Sequence, residues 1–268
     1  MLKIALSGIA GRMGQMILKA IAADSDAELV AALGRKGSAI IGKDAGTPSG
    51  IATGVTVTDD PEAIAGCDAV IDFSKPEGTE ALLPVCEKLG LPIVIGTTGF
   101  TASQRARIDE ASEKIPVILA PNTSVGVNAV FELVAQAAKL LAGTDVEIVE
   151  MHHKNKADAP SGTALEMGRF VAKARGQEFD EVAVLSREGR TGPRKDGTIG
   201  FAALRGGDVV GVHTVIFAGT GEQVEITHRS TTREGYAQGA VAAARFLAGK
   251  EKGRFSMADV IGISRTAA

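Results

Sequence analysis

The sequence predicts an α/β protein of two domains, in which a parallel sheet flanked by helices is followed by an α+β domain with a mixed or antiparallel open sheet. Short apolar segments alternate with helix-forming segments over roughly the first 125 residues, which is typical of a parallel sheet. From about residue 145 the chain becomes rich in strand-forming residues. Its 268 residues are enough for two domains that each bury a core.

Composition and charge limit the classes of partner. Hydrophobic residues make up 45% and charged residues 23% of the chain, as in ordinary globular proteins. The net charge of −3 gives no electrostatic reason to expect nucleic acid or an anionic membrane. No secretory signal and no apolar run of the about 18 to 20 residues of a membrane span is visible, so we expect a cytoplasmic protein. Cys67 and Cys86 lack metal or redox spacing, and we expect reduced, buried thiols.

The first predicted strand and its glycine-rich turn indicate a dinucleotide site. The apolar segment Lys3–Leu6 leads into Gly8-Ile9-Ala10-Gly11-Arg12-Met13-Gly14, and apolar residues at helical spacing follow. In this context Gly8 permits the tight turn, Gly11 lets the backbone approach a pyrophosphate, and Gly14 lets helix and strand pack closely. A glycine turn that binds no ligand is the alternative.

The end of the second predicted strand, Leu29–Leu33, bears on the choice of cofactor. An NAD-type site usually carries Asp or Glu there to bind the ribose hydroxyls, whereas this chain has Gly34, Arg35 and Lys36. Two cations in place of a carboxylate suit a 2′-phosphate, so we expect NADPH to be preferred and NADH to be the second cofactor. The alternative is that both cations belong to a solvated turn.

Strands and helices continue to alternate through residue 119. They are the strand Ala69–Phe73, the helix Pro76–Leu89, the strand Leu91–Ile95, a helix from the N-cap Thr101 to Lys114, and the strand Pro116–Leu119. Ligands of a parallel sheet bind beyond the carboxyl ends of its strands. Because Gly96-Thr97-Thr98 and Ala120-Pro121-Asn122-Thr123 follow such ends, we expect them to hold the ribose and nicotinamide in a Rossmann-like domain.

The second half of the chain has a different pattern. Apolar residues from Val127 to Leu141 predict a long amphipathic helix. Strands are then predicted over Val146–Met151, Glu181–Ser186, Thr198–Phe201, Val209–Phe217 and Glu222–Arg229, with a Gly206-Gly207 hairpin before the fourth and a Gly219-Thr220-Gly221 turn before the fifth. A helix over 233–249 is predicted to return to the first domain. We therefore expect a dinucleotide-binding domain of residues 1–125 and 233–268, a substrate-binding and oligomerisation domain of residues 126–232, and a ligand crevice between them.

The segment EMHHKNKADAPSGTAL, residues 150–165, concentrates titratable and cationic groups. It holds His152 and His153, two of the chain's four histidines, with two lysines close behind. Ser161-Gly162-Thr163 begins a predicted helix, whose free amides and hydroxyls form an anion site. Lysine is positively charged near neutrality, and histidine can give or take a proton there. The segment predicts a site that binds a carboxylate and protonates an atom made electron-rich by hydride arrival.

Plainer interpretations of the same segment stay open. His152, His153 and Asp158 are candidate metal ligands, but no HxxxH or CxxC spacing supports a metal and we expect none. His153 is alternatively a structural residue. Lys154 is alternatively a solvated charge at the end of a strand.

Several motifs resemble those of the bacterial dihydrodipicolinate reductases of lysine and diaminopimelate synthesis. They are GIAGRMG at 8–14, IDFSKPEGT at 71–79, VIGTTGF at 94–100, the segment at 150–165, SREGRTG at 186–192 and GTIGFAALRGGDVVGVHTV at 197–215. The resemblance spans essentially the whole chain. The block HHKNKADAPSGTA is far more specific than the glycine fingerprint.

The resemblance implies NAD(P)H-dependent reduction of 4-hydroxy-tetrahydrodipicolinate, a cyclic imine dicarboxylate, with loss of water. It implies that His152 is the general acid/base and Lys156 the proton donor, and that homotetramers form through the β domain. The substrate contacts that we expect are His153, Ser161, Gly162, Thr163 and Thr98, and the cofactor contacts are Gly8, Ile9, Ala10, Gly11, Arg12, Met13, Arg35, Gly96, Thr97, Thr98, Ala120, Pro121, Asn122 and Thr123.

Three positions depart from the family's usual pattern. Gly34 stands where many members have an acidic residue, Lys154 replaces the commoner Arg, and Thr123 stands where some members have an aromatic residue.

Two other functions stay open. They are another NAD(P)-dependent dehydrogenase of amino-acid metabolism, acting on a semialdehyde or a sugar, and a non-catalytic NAD(P)H sensor. An open-chain substrate does not need two lysines and a helix terminus, and a sensor has no use for His152 beside Lys156.

Overall fold

The computed structural model describes residues 1–263 and divides the chain into two compact units. The first unit is Met1–Val125 together with the segment that begins at Glu234, and the second is Gly126–Arg233. Residues 264–268 of the predicted first domain lie outside the described residues. The predicted fold class, a parallel sheet with helices plus a second, mixed sheet, is confirmed.

The first unit is built on a seven-stranded sheet in the order β12-β6-β5-β4-β1-β2-β3, and all its neighbouring strands are parallel. Its elements are β1 (Leu2–Ser7), α1 (Arg12–Ala22), β2 (Ala27–Leu33), β3 (Val57–Thr58), β4 (Ala69–Asp72), α2 (Pro76–Leu89), β5 (Ile93–Ile95), α3 (Ala102–Ser112), β6 (Pro116–Leu119), α7 (Glu234–Leu247), β12 (Gly253–Phe255) and α8 (Met257–Val260). The chain builds the sheet outward from β1 in one direction and then from β4 in the other. The order therefore reverses beside β1, where doubly wound sheets bind their ligands.

Both faces of this sheet are covered, which explains why its strands are apolar without alternation. On one face Ile4 and Leu6 of β1 pack with α1 and with Ala240 of α7. On the other face Val70 of β4 packs with Leu82 of α2 and with residues of α3. Helix α7, which follows the second unit in the chain, thus completes a layer of the first unit.

The second unit contains a five-stranded mixed sheet in the order β11-β10-β7-β9-β8. Its elements are α4 (Val125–Leu140), β7 (Asp145–His152), α5 (Gly162–Ala174), α6 (Phe179–Val182), β8 (Ala183–Val184), β9 (Ile199–Arg205), β10 (Gly211–Ala218) and β11 (Gln223–Ser230). The central strand β7 is antiparallel to β10 and parallel to β9. One face of the sheet packs on α4 and α5. On the other face alternate residues of β7 and β10 stay partly exposed.

Two predictions for the second unit are wrong. Glu181–Ser186 is not one strand, because the short helix α6 extends to Val182 and β8 contains only two residues. Two acidic residues in the first turn of α6 favour the helix there. The Gly206-Gly207 turn does not join neighbouring strands, because β7 lies between β9 and β10.

This turn instead crosses the end of β7. The Gly206 N–H donates to the carbonyl oxygen of His152 at 3.0 Å, and the Lys154 N–H donates to that of Gly207 at 3.2 Å. A Gly-Gly pair predicts a reversal of the chain, but it does not determine which strand the chain pairs with next.

Other local predictions are confirmed. Helix α2 has the predicted bounds, Thr101 caps α3 through a capping box, and β10 and β11 form an antiparallel hairpin. Cys67 and Cys86 are buried free thiols. None of the helices within residues 1–263 has both the length and the apolar character needed to cross a membrane.

Candidate active site

The turn after β1 closes too tightly to accept side chains at two positions. Gly8 has φ +83°, and a Cβ there would overlap the carbonyl oxygen of Phe73. A Cβ on Gly14 would overlap the carbonyl oxygen of Gly8, so α1 packs directly on the turn. Gly11 is the N-cap of α1 and supplies no side chain to cap the first amides of the helix. This arrangement fits a pyrophosphate, which accepts hydrogen bonds from such amides.

A cavity of about 650 Å³ lies beside this turn, within the size range of small-molecule sites. Of the predicted cofactor residues, Gly8, Ala10, Gly11 and Arg35 line it. Lys36, for which a place in a solvated turn was the alternative interpretation, also lines the cavity. Further lining residues, which were not predicted from the sequence, include Asp59, Phe73, Ser74, Lys75 and Gly78. The motif IDFSKPEGT, which carried part of the family resemblance, contains five lining residues, namely Phe73, Ser74, Lys75, Glu77 and Gly78.

The other predicted cofactor residues do not line this cavity. Ile9 is buried in the core, Met13 packs against that core, and Arg12 is exposed. The two predicted loops lie at the carboxyl edge of the sheet. There the Gly96 N–H donates to the backbone carbonyl oxygen of Asp72 and the Ala120 N–H to that of Ile95, both at 2.9 Å. Within these loops Thr98 and Pro121 are exposed, and Asn122 is half-buried.

The buried carboxyl group of Asp72, which was not predicted from the sequence, links the ends of β4 and β5. It accepts hydrogen bonds from the hydroxyls of Thr79 and Thr97, the latter at 3.1 Å. The Thr97 hydroxyl in turn accepts the Ser74 N–H at 2.9 Å. Burial raises the pKa of Asp72 although these hydrogen bonds oppose the shift. The Thr97 hydroxyl is therefore hydrogen-bonded within the protein. The Thr123 hydroxyl is as well, because it donates to the carbonyl oxygen of Tyr236 at 2.6 Å.

In the second unit, Glu150 and His152 lie two residues apart on the buried face of β7. Strand alternation puts them on the same face, and Nδ1 of His152 is 2.6 Å from Oε2 of Glu150. Glu150 is 1% exposed and His152 is 9% exposed. Burial lowers the pKa of His152 below its usual value, although the Glu150 carboxylate by itself would raise it. The imidazole is therefore held through Nδ1.

Arg205 and Ser161 hold Glu150 in turn. The Arg205 guanidinium donates to both carboxylate oxygens at 2.8 Å, and the Ser161 N–H donates to Oε1 at 3.1 Å. Burial by itself would raise the pKa of Glu150, but the hydrogen bonds from Arg205 and His152 outweigh it and lower the pKa. Glu150 is thus an ionised carboxylate at neutral pH.

Ser161 is the N-cap of α5, and its polar groups are bonded within the protein. Its hydroxyl accepts the Ala164 N–H at 3.2 Å and lies 2.8 Å from Nε2 of His213. His213 is buried edge-on to His152, with ring centroids 5.0 Å apart, and burial lowers its pKa to about 4. The exposed Gly162 and the half-buried Thr163 follow in the first turn of α5. The helix terminus therefore begins beside the imidazole of His152.

The loop between β7 and α5 carries the remaining predicted residues. Lys156 donates to both carboxylate oxygens of the exposed Asp158, at 2.8 and 2.9 Å. It lies close enough to His152 for its charge to contribute to the lowered pKa of the imidazole. His153 is half-buried, and Lys154 is exposed. Among residues 1–263 no group of three or more His, Cys, Asp and Glu side chains is placed to hold a metal ion.

Glu150, Arg205 and His213 were therefore not predicted from the sequence. A signal for Glu150 was present, because a carboxylate two residues before a histidine on a strand shares its face. Arg205 and His213 depend on the register of β9 and β10 against β7, which pairs Arg205 with His152 and His213 with Glu150.

Comparisons with known proteins match nearly the whole chain. The family models for the N-terminus and the C-terminus of dihydrodipicolinate reductase match residues 2–123 and 126–261. The 4-hydroxy-tetrahydrodipicolinate reductases of Ralstonia nicotianae and Ralstonia pickettii are 57% and 56% identical to the chain over 264 residues, which cover 98% of this chain and 100% of each relative. The solved structure of dipicolinate-bound dihydrodipicolinate reductase from Paenisporosarcina sp. TG-14 has a TM-score of 0.79 at 25% identity, and the match covers 97% of this chain and 99% of that one.

Proposed function

The chain belongs to the dihydrodipicolinate reductase family, and we propose that it catalyses the NAD(P)H-dependent reduction of 4-hydroxy-tetrahydrodipicolinate to tetrahydrodipicolinate, with loss of water, in lysine and diaminopimelate synthesis. The observation that carries the proposal is the imidazole of His152, held on an ionised carboxylate beside Lys156 and the N-terminus of α5. Relatives that match over their full length and carry this activity in their names support the same conclusion.

The residues of the second unit supply proton transfer in this proposal. The reaction adds one hydride and one proton to the ring, and the hydroxyl group leaves as water together with one ring hydrogen. When bound, the reduced nicotinamide supplies the hydride. His152 acts as the general acid/base through Nε2, and Lys156 acts as a proton donor near the substrate. Protonation by a positioned side chain typically contributes a rate factor of about 10² to 10⁴.

The substrate's two carboxylates require positive charge and amide donors. Lys156 provides a cation once its contact with Asp158 opens, and breaking this ion pair costs little because the Asp158 side chain is exposed. His153 and the first turn of α5, with Gly162 and Thr163, provide further donors. Ser161 supports that turn as its N-cap, and Thr98 is the proposed contact from the first unit. A relative solved with dipicolinate, a ring with two carboxylates, supports this assignment.

The proposed cofactor is NAD(P)H, with NADPH preferred. Gly8, Ile9, Ala10, Gly11, Arg12, Met13, Arg35, Gly96, Thr97, Thr98, Ala120, Pro121, Asn122 and Thr123 are the proposed contacts. A Cβ on Gly34 would lie 3.0 Å from the side chains of Ile41 and Val57, so a carboxylate at this position would require its neighbours to shift. Arg35 and Lys36 line the adjacent cavity and suit a 2′-phosphate.

We also propose a cytoplasmic homotetramer that assembles through the open face of the second unit's sheet. Strand register puts Val149, Ile216 and Leu204 on this face, where they are partly or fully exposed. A second copy would remove this apolar surface from water. Light scattering after size exclusion should give a mass of about 110 kDa, four times the 27.5 kDa of one chain. A mass of one chain would refute the assembly.

The proposed function is tested by mixing the purified protein with NADPH and freshly synthesised 4-hydroxy-tetrahydrodipicolinate. The absorbance of reduced nicotinamide should fall only when the substrate is present, and dipicolinate should inhibit the reaction. A protein that oxidises NADPH only with a semialdehyde or a sugar would be a different dehydrogenase. A protein that binds NADPH without turnover would be a sensor.

A further inference from the structure

Glu150 contacts both parts of the proposed substrate site, the imidazole of His152 and the N-terminus of α5. One carboxylate oxygen is 2.6 Å from Nδ1 of His152, and the other accepts the N–H of Ser161, the N-cap of α5. We propose that Glu150 is a positioning residue, which fixes the imidazole of His152 with its proton on Nδ1 and anchors the N-terminus of α5 beside it. This inference rests on the proposed function, in which His152 transfers a proton and the start of α5 binds a substrate carboxylate.

Arg205 makes this role physically possible. A carboxylate as buried as Glu150 would be costly to keep charged without a partner. The Arg205 guanidinium donates two hydrogen bonds of 2.8 Å to the Glu150 carboxylate. The guanidinium also donates to the carbonyl oxygens of Leu204 and Asp158, at 2.6 and 2.7 Å. This planar fork therefore fixes the carboxylate relative to both β9 and the loop before α5.

The charge of Glu150 determines where the imidazole proton lies. An ionised carboxylate only accepts hydrogen bonds, so Nδ1 of His152 must donate to it. In the neutral imidazole the lone pair is then on Nε2, the nitrogen that faces away from the carboxylate. When Nε2 takes up a proton, the same carboxylate stabilises the cation. A glutamine at position 150 can turn its amide N–H₂ toward Nδ1 and so stabilise the opposite tautomer.

A matched control lies on the same strand. Glu147 is also a carboxylate of β7 with two arginine partners, Arg187 at 2.7 and 2.8 Å and Arg194 at 3.2 Å. It lies three residues before Glu150 and therefore on the opposite face of the sheet. It shares the charge and the pairing of Glu150 but has no contact with His152.

The test compares Glu150→Gln, Glu150→Asp and Glu147→Gln in the NADPH-oxidation assay. We expect Glu150→Gln to lower kcat by about 100-fold, because His152 presents the wrong tautomer, while NADPH affinity changes by less than about twofold. Glu150→Asp keeps the charge and should recover part of the loss. Glu147→Gln should keep kcat within about twofold, with its mass checked because this residue lies on the proposed assembly face.

A second measurement reports the tautomer without any substrate. In protein labelled with ¹⁵N-histidine, the ring-nitrogen chemical shifts show which nitrogen carries the proton, and the His152 signals are those that disappear in His152→Ala. The wild type and Glu150→Asp should show the proton on Nδ1, and Glu150→Gln should show it on Nε2. The tautomer can be determined from the wild type and Glu150→Asp alone, so the test remains valid even if Glu150→Gln does not fold.

The outcomes separate the two proposals. A wild type without reductase activity refutes the proposed function, whatever the tautomer. An active wild type whose His152 carries its proton on Nε2 refutes the role of Glu150. An active, folded Glu150→Gln with unchanged kcat and an unchanged tautomer refutes it as well.

Discussion

His213 makes the stability of the protein depend on pH in a way that can be worked out. It is 3% exposed, and burial lowers its pKa from 6.5 to about 4. The unfolded chain therefore takes up a proton at a pH where folded His213 stays neutral. As the pH falls below about 6.5 the unfolded state is stabilised, and this loss of folding free energy continues until the pH reaches the folded pKa of about 4.

The size of the effect follows from the two pKa values. At pH 7.5 neither state binds a proton at this residue to a significant extent. At pH 5 the unfolded histidine is about 1.5 pH units below its pKa, and each unit is worth about 1.36 kcal/mol. His213 alone should therefore reduce the free energy of unfolding by about 2 kcal/mol between pH 7.5 and pH 5.

The variant His213→Gln isolates this contribution, because glutamine does not titrate and can still reach the Ser161 hydroxyl. Urea unfolding followed by circular dichroism, at one protein concentration, gives the free energy of unfolding at both pH values. The wild type should lose about 2 kcal/mol more than the variant on acidification. The packing cost of the substitution cancels, since each protein is compared with itself. Equal losses would refute the assignment of a neutral, buried imidazole.

Three further substitutions test the candidate site. His152→Ala should lower kcat by about 10² to 10⁴ with little change in NADPH affinity, because it removes proton transfer and leaves the cofactor cavity intact; steady-state kinetics with unchanged turnover would contradict the role. Lys156→Ala should raise KM and lower kcat together, since it removes both a carboxylate contact and a proton donor; wild-type values would exclude it from the site. Arg35→Gln should lower kcat/KM for NADPH about tenfold and leave that for NADH nearly unchanged. Lys19→Gln, on the exposed last turn of α1, is its control; equal effects on both cofactors would argue against a 2′-phosphate contact.

Much of the first unit follows directly from local sequence. Its strands are buried on both faces, so they appear as unbroken apolar segments, and glycines with no room for a Cβ follow the first of them. Helix α2 begins at a proline and ends before a glycine with positive φ, which are strong local signals, and both predicted ends are confirmed. The alternation of such elements was sufficient to predict the parallel sheet.

The second unit shows what local sequence does not contain. Strand β9 pairs with β7 and not with the strand that follows its own turn, and this choice depends on packing across the sheet. The partners of Glu150 come from that pairing, since Arg205 reaches it only because β9 lies beside β7 in one register. His152 and Lys156 could therefore be proposed from sequence, whereas the groups that orient His152 required the fold.

The central claim is that this chain completes a reduction by NAD(P)H through a proton carried by His152. The most direct measurement uses NADPH with both C4 hydrogens of the nicotinamide replaced by deuterium, freshly synthesised 4-hydroxy-tetrahydrodipicolinate, and mass spectrometry of the product. The wild type should form tetrahydrodipicolinate that carries one deuterium, and His152→Ala should form it far more slowly. Product without deuterium, or equal rates in the two proteins, would contradict the account.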